Sequence, residues 1–410
     1  MVEFITWIYI VMFFFGNFFL VMFLLLYIRN KEKLFDYPKL EKYPEITFLV
    51  PAYNEGESIL GTLKALIDVK YPKDKKKILV INDGSTDNTS EIVKKFMKSH
   101  KEIMLFDKPN SGKADSLNQA LKKVTTELFA VVDADSYPDK EAVMQMVGYF
   151  ESDNDIAAVT SRVLVKNRKN FIEKFQAVDY AIIAWGRKIL DFVDSVYVTN
   201  GPLSIYRTIF VKKVGGFDPK NLTEDIELTW NLLSHNYKTK MSYSAKVHTV
   251  VPNTLKQWIK QRVRWNLGGI QTVYKYRSKI FRGENIFGYF VVTYVALSFI
   301  LALIGFLLVA RFVYLKTYFY LLSIPFVAKG YGLINFLSVD FSFGLLFIMG
   351  GMFFILSFTY YKVSIRNDDL ESKSILTILI YLMIYRPLYL IPLLTALYKI
   401  AKRDIRWYTK

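Results

Sequence analysis

Three clusters of charged residues in this sequence have types and spacing that could do chemistry. Asp133-Ala134-Asp135 sets two carboxylates one residue apart at the exit of the apolar run 128–132. Such a pair can hold a hard cation that takes its other ligands from water and phosphate, and that helps a diphosphate to leave. It could equally be a solvated strand-to-loop turn. Thr223-Glu224-Asp225 opens a helical pattern that runs through Trp230. Glu224 or Asp225 either stabilises the helix dipole, by about 0.3–1 kcal/mol, or serves as a general base for an acceptor hydroxyl. Gln261-Arg262-Val263-Arg264-Trp265 is a basic-aromatic patch, weak alone. It follows the two acidic motifs inside a water-soluble block walled by apolar segments.

Two further positions fit phosphate or nucleotide chemistry. Asp83, in Asn82-Asp83-Gly84-Ser85-Thr86-Asp87, is either ordinary turn chemistry or an acceptor for a base N–H, with Gly84 allowing close approach. Lys113, in Ser111-Gly112-Lys113, precedes a helix over 114–122, where amide donors and an ammonium point the same way. The GxxxxGK spacing of a P-loop is absent. Three scattered histidines give no zinc spacing, and zero cysteines exclude thiol chemistry and disulfides. Arg386 falls within the last apolar run. There it either snorkels or marks a pathway, and a polymer path is the reading taken. Asp368-Asp369 reads as a solvated acidic turn.

These residues need elements to hold them. The apolar runs 47–50, 77–81 and 128–132 read as strands, separated by helical patterns over 57–68 and 90–98. That alternation predicts an α/β fold with a mostly parallel sheet covered on both faces. Ligands of such sheets bind beyond the carboxyl ends of the strands. Asn54-Glu55, Asp83 and the Asp133/Asp135 pair all sit there.

The chain is apolar over 5–28 and over most of 286–399, with the charge concentrated between. Residues 1–30 are expected to form a transmembrane anchor with its N-terminus outside, because Arg29, Lys31 and Lys33 follow the run. A domain over 45–252 comes next, then an amphipathic interfacial helix within 253–280, C-terminal helices over 281–400 and a basic cytoplasmic tail, 401–410. Apolar runs at 286–310, 317–336, 340–361 and 375–399 give five spans in all, with the loop 362–373 outside. The net charge of +17, from 54 basic and 37 acidic residues, points to membrane lipids as partner, and nucleic acid is not expected.

With these motifs in place, the chain resembles the processive membrane family-2 glycosyltransferases: hyaluronan, chitin-oligosaccharide, poly-N-acetylglucosamine and cellulose synthases. The matching text is Val50-Pro51-Ala52-Tyr53-Asn54-Glu55, Asn82-Asp83-Gly84-Ser85, Gly112-Lys113 with Leu117-Asn118, and Asp133-Ala134-Asp135. It continues through Gly201-Pro202-Leu203-Ser204-Ile205-Tyr206-Arg207, Gly215-Gly216-Phe217, Thr223-Glu224-Asp225 and Gln261–Trp265. The resemblance implies a GT-A (Rossmann-like) domain beside α-helical membrane segments, and an inverting hexosyltransferase using a UDP-sugar and Mg2+ or Mn2+. It implies that Tyr53, Glu55, Asp83, Lys113 and Asp133 bind the nucleotide-sugar, that Asp135 binds metal and that Asp225 is the base. Glu224, Gln261, Arg264 and Trp265 would frame the acceptor and diphosphate: Trp offers a flat face to sugar C–H groups, and Arg a planar fork to phosphate. The leading expectation from the resemblance is an acceptor that is a growing β-linked polysaccharide, exported through the protein's own spans. The alternatives are a single transfer to a membrane lipid and, ranked lower, a transporter with a non-catalytic domain.

Overall fold

The computed structural model describes residues 2–282, 286–327, 344–368 and 370–404. Its first element is the apolar helix α1 (Val2–Asn30). The strands follow the apolar text. β1 (Ile46–Ala52), β2 (Lys76–Asp83), β3 (Ile103–Lys108) and β4 (Leu128–Val131) pair in parallel, in the order β3-β2-β1-β4. Their side chains alternate between two apolar cores. Phe48, Val50, Ile78 and Val80 face α2 (Ile59–Asp68) and α5 (Met144–Ser152), while Leu49, Leu79 and Ile81 face α4 (Lys113–Lys123). Helix α3 (Thr89–Met97) lies between β2 and β3 in the chain.

Beyond β4 the sheet turns mixed. β7 (Ser204–Arg207) runs antiparallel to both β4 and β6 (Ile156–Val165); β8 (Lys238–Thr249) pairs parallel with β6, and β5 (Ser136–Pro138) closes the edge. β6 escaped the sequence reading because Thr160-Ser161-Arg162 interrupts its apolar run, although all ten residues are buried. Between β6 and β7 runs the 21-residue α6 (Phe171–Asp191). It opens on a reciprocal cap in which Asn170 accepts from the Glu173 amide and Glu173 accepts from that of Asn170. α7 (Thr208–Lys213) and α8 (Glu224–Ser234) follow, then α9 (Leu255–Tyr276), which carries Gln261–Trp265.

The chain divides into two compact units. One comprises residues 1–25 and 293–361. Here α1 packs against α11 (Leu345–Ser364), with the Phe13 and Phe353 rings 6.0 Å apart, and against α10 (Thr293–Val327), with Phe19 5.0 Å from Tyr294. The expected runs 286–310 and 317–336 meet in α10, which is continuous to Val327; the rest of the second run lies outside the described residues, as does 405–410 of the basic tail. The other unit holds 26–292 and 362–410 and so contains the sheet, α9 and a C-terminal apolar segment. That segment is α12 (Ile375–Ile380), a π turn Tyr381–Tyr385, a 3-10 turn Arg386–Tyr389 and α13 (Leu390–Ala401). Among the described residues four helical stretches are long and apolar enough to cross a membrane: Phe4–Lys33, Phe287–Pro325, Leu345–Ser364 and Ile375–Ala401.

The loop 362–373, expected outside, packs on the sheet unit. Asp368 is buried rather than solvated. It lies 3.8 Å from the Arg162 guanidinium and accepts from the Tyr243 hydroxyl at 3.3 Å. A carboxylate leaves water when charged partners are already in place to receive it.

Candidate active site

The site is built at the carboxyl ends of the first strands. At the end of β1, Asn54 adopts a left-handed backbone (φ 54°), and the loop is stitched to the one after β2. The Asn54 side chain accepts from the Thr86 amide at 2.8 Å, the Glu55 amide donates to the Thr89 hydroxyl at 2.8 Å and the Gly56 amide to Asp87 at 3.0 Å. Glu55 itself accepts from Ser58 at 2.7 Å, and Tyr53 is half-buried on the same rim.

Asp83, at the end of β2, is turned toward the protein. Its oxygens accept from Lys108 Nζ at 2.6 Å and from the Ser111 and Gly112 amides, each at 2.9 Å. Burial alone would raise its pKa, but the bonds from Lys108, Ser111 and Ser116 hold it below the usual value. Asp83 therefore fixes where α4 starts. Gly112 turns with φ 89°, and the next residue, Lys113, enters the cleft.

Lys113 Nζ lies 2.7 Å from Asp133 and 2.9 Å from Glu224. Burial opposes its charge, but the carboxylates of Asp133, Glu224 and Asp225 outweigh that and raise its pKa. The bridge needs Gly201: a Cβ there would stand 2.7 Å from an Asp133 oxygen and 3.0 Å from Lys113 Nζ. We predict that Gly201→Ala displaces this pair and lowers turnover by about 10²-fold, the order of loss that follows a 1 Å misplacement. Unchanged steady-state rates would show that the close approach is idle.

The acids at the start of α8 are placed from 99 residues away. Asn118 of α4 donates to the Phe217 carbonyl at 2.7 Å and accepts from its amide at 2.8 Å. Gly216 (φ 80°) is required beneath this clamp, since a Cβ would meet Asn118 Oδ1 at 2.4 Å. Glu224 is buried; burial raises its pKa, but Lys113 and Arg264 overcome this and keep it low. Asp225, half-buried, is pushed up to about 6, by burial first and then by the Glu224 charge. The two acids are thus split, one ionised and one titrating near neutrality, as acid–base chemistry needs. A base with that pKa is active only when deprotonated. We predict that kcat/KM rises with pH up to about 6, then levels off, and falls about tenfold per unit below. A flat profile from pH 5 to 8 would exclude Asp225 as base.

α9 crosses the start of α8 at Gly268, where a Cβ would lie 2.2 Å from Thr223 Oγ1. This brings the field of Arg264 onto Glu224 and Asp225. Arg264 and Gln261 are half-buried, and the Gln261 Oε1 is buried with no partner among the described residues. Trp265 packs 6.4 Å from the Tyr180 ring and beneath the Arg262 guanidinium, 3.8 Å from its centroid. Arg262, a basic residue of the helix expected to be interfacial, faces protein. It is 1 % exposed and paired at 3.0 Å with Asp179 of α6. Trp258, one turn earlier, is also fully buried, so this face of α9 docks on protein.

Asp135 accepts from the Ser136 hydroxyl at 3.3 Å and the Thr249 hydroxyl at 3.4 Å. Among the described residues no three His, Asp or Glu side chains gather into a metal cage. Asp133 and Asp135, one residue apart just past the end of β4, fit a cation that takes one or two carboxylates and completes its shell with phosphate and water. Arg386 is not brought to these groups as a ligand. It is exposed on the 3-10 turn, 5.1 Å from the Tyr389 ring. The sequence reading missed Asp179 and Arg187. Asp179 carries a signal, an acid in the apolar stretch 175–185. Arg187, half-buried, feels Tyr197 and Asp225 and carries none.

Residues 44–268, more than half of the chain, match the family described as glycosyltransferase like family 2. Poly-beta-1,6-N-acetyl-D-glucosamine synthase of Staphylococcus aureus is 34% identical over 244 residues, 59% of this chain and 58% of that protein. The synthase of the same name from Staphylococcus epidermidis is 33% identical over 249 residues, 59% of this chain and 60% of its own. The chain thus matches less than two thirds of the length of these relatives. Among solved structures, a mannosyltransferase of Pyrobaculum calidifontis in complex with GDP-Man and Mn2+ aligns over 95% of this chain and 98% of its own, with TM-score 0.58 and 18% identity. That likeness shows the fold.

Proposed function

The chain belongs to glycosyltransferase family 2, with a GT-A sheet unit and apolar helices, and on that premise we propose that it extends a β-linked polysaccharide from a UDP-sugar with inversion at the anomeric carbon. What carries the reading is the split pair at the start of α8, with Asp225 poised to titrate near 6 beside a Glu224 held ionised by Lys113. Asp225 takes the proton of an acceptor hydroxyl, and that oxygen forms the new bond to the anomeric carbon. The bond from that carbon to the diphosphate oxygen breaks, and UDP departs with its electron pair. Arg264 faces the departing diphosphate. Trp265 and Gln261 hold the acceptor sugar, and the Tyr53–Glu55 rim, Lys113 and Asp133 hold the donor. Asp83 supports the donor side by fixing the Ser111–Lys113 turn, in addition to the nucleotide contact the family pattern implies. Mg2+ or Mn2+ on Asp135, with Asp133, would supply charge neutralisation for the leaving group.

The relatives' name supports a poly-N-acetylglucosamine-like product, and the same proposal puts the sheet unit on the cytoplasmic side, lipid around the apolar helices and Arg386 beside the polymer's path. The test gives purified full chain labelled UDP-sugars, UDP-N-acetylglucosamine among them, with either metal. A ladder or long polymer on a gel is expected. A monoglycosylated lipid as sole product would overturn the processive reading in favour of transfer to a glycolipid acceptor.

A further inference from the structure

On the basis of the function proposed above, we infer that Lys275 is a positioning residue. By joining Glu227 to Asp218 it holds the base-bearing start of α8 against the acceptor-bearing helix α9, and so favours transfer to a sugar over transfer to water. One side of α9 serves both ends of this arrangement. Gln261, Arg264 and Trp265 lie on its first half, and Gly268, Gln271, Thr272 and Lys275 continue the same three- and four-residue spacing. The second half grips the loop that leads into α8. The Thr272 hydroxyl accepts from the Asn221 side chain at 2.9 Å and the Gln271 side chain from the Leu222 amide at 3.1 Å, while Gly268 leaves room for Thr223.

Lys275 closes the row. Its Nζ lies 2.6 Å from Glu227, one turn beyond Glu224 on α8, and 2.9 Å from Asp218, at the head of the loop. Glu227 is fully buried. Its Oε1 accepts from Lys275 and, at 3.1 Å, from the Tyr276 hydroxyl, while its Oε2 has no partner among the described residues. A carboxylate so placed is costly unless a cation meets it. Burial opposes the charge of Lys275 as well, but its bonds to Glu227 and Asp218 prevail and raise its pKa. Trp230 of α8 packs 5.8 Å from the Tyr276 ring, so apolar contact holds the same turn of α9.

The consequence lies in which nucleophile Asp225 serves. The donor groups are held without Lys275: Lys113 is paired with Asp133 and Glu224, and Phe217 is clamped by Asn118 of α4. The acceptor groups Gln261, Arg264 and Trp265 ride on α9. Without the Lys275 join, α9 and the sugar it holds shift relative to Asp225, whereas water needs no holding. Asp225 then takes a proton from water, and the water oxygen bonds to the anomeric carbon. The bond from that carbon to the diphosphate oxygen breaks, UDP leaves with its electron pair, and the sugar is released free.

The test gives the full chain in detergent a labelled UDP-sugar and Mg2+ or Mn2+. It reads, from one reaction, label joined to acceptor and label in free sugar, together with the thermal midpoint. Lys275→Met is expected to lower the ratio of transfer to hydrolysis about tenfold, part of the ~10²-fold that a 1 Å misplacement costs, with donor KM and hydrolysis within about twofold of wild type. Lys275→Arg still bridges both carboxylates and is expected to keep the wild-type ratio. Because Lys275→Met strands a buried carboxylate, a double variant with Glu227→Gln guards against misfolding. Its midpoint is expected to return toward wild type while its ratio stays low. A ratio that returns with the midpoint would show that Lys275 only holds the fold, and overturns the inference. So does an unchanged ratio in Lys275→Met when the wild type transfers sugar normally. Wild type that transfers no label from any UDP-sugar overturns the function proposed above, and this role with it.

Discussion

Asp225→Asn is expected to lower sugar transfer by about 10²–10⁴-fold, the range that a lost general base commands, while UDP binding stays within about twofold of wild type. The split between the two readouts follows from where Asp225 sits. Its Oδ1 accepts from the Ile226 amide at 2.9 Å, within its own helix turn, so an amide in its place keeps the carbonyl oxygen and leaves the fold undisturbed. Neither Lys113 nor Asp133 relies on it for a direct bond. Lys113 keeps both of its ion-pair partners, Asp133 and Glu224. What Asn lacks is the ability to take a proton. The measurement is initial rate at saturating donor together with UDP affinity by calorimetry. Near-normal turnover would remove Asp225 from the mechanism.

The second large effect concerns stability. Asp179→Leu strands Arg262, which is 1 % exposed and whose other nitrogens, Nε and Nη1, already lack partners among the described residues. Removing one member of a buried ion pair costs about 3–5 kcal/mol because the remaining charge is uncompensated. The hydroxyls of Tyr381 and Tyr389 lose their acceptor as well. For the full chain in detergent this corresponds to a thermal midpoint lower by roughly 10 °C. The informative control is the double variant Asp179→Leu with Arg262→Met. Exchanging a buried pair for apolar residues of similar volume is often neutral, so most of the loss is expected to return. A double variant as unstable as the single one would mean that shape at Asp179, not charge, is what α6 requires.

The part of the fold that the sequence exposed is the part made by local pattern. β1, β2 and β4 announce themselves because strands buried on both faces carry unbroken apolar runs, Phe48–Val50, Ile78–Ile81 and Leu128–Val131. The chemistry at their ends follows from topology. The acids of Thr223-Glu224-Asp225 could be named, but not how they differ, because that depends on Lys113 arriving from 111 residues earlier. By sequence Arg262 is one more cation of an amphipathic helix beside Lys256 and Lys260, and only the arrival of Asp179 from α6 makes it a core residue. Hydropathy likewise marks 375–401 only as apolar; its packing on the sheet unit is carried by Tyr381, Tyr389 and the buried Asp368, contacts 125 to 210 residues apart.

Those separations set an order of assembly during synthesis. The pairings of β1 with β2 and of β2 with β3 span 30 and 25 residues and are available early, whereas pairing across longer stretches of chain comes later because more loop-closure entropy must be overcome first. Asp179 and Arg262 can meet once α9 has left the ribosome, but the two tyrosine hydroxyls that complete the cluster follow more than a hundred residues later. In that interval α10 and α11 are made while Asp179 still lacks both tyrosine donors. A chain halted before residue 375 holds every residue assigned to the reaction, yet the helix bearing Gln261, Arg264 and Trp265 lacks its last support. Residues 375–401 thus seat the helix that carries Gln261, Arg264 and Trp265 only after α10 and α11 have been made.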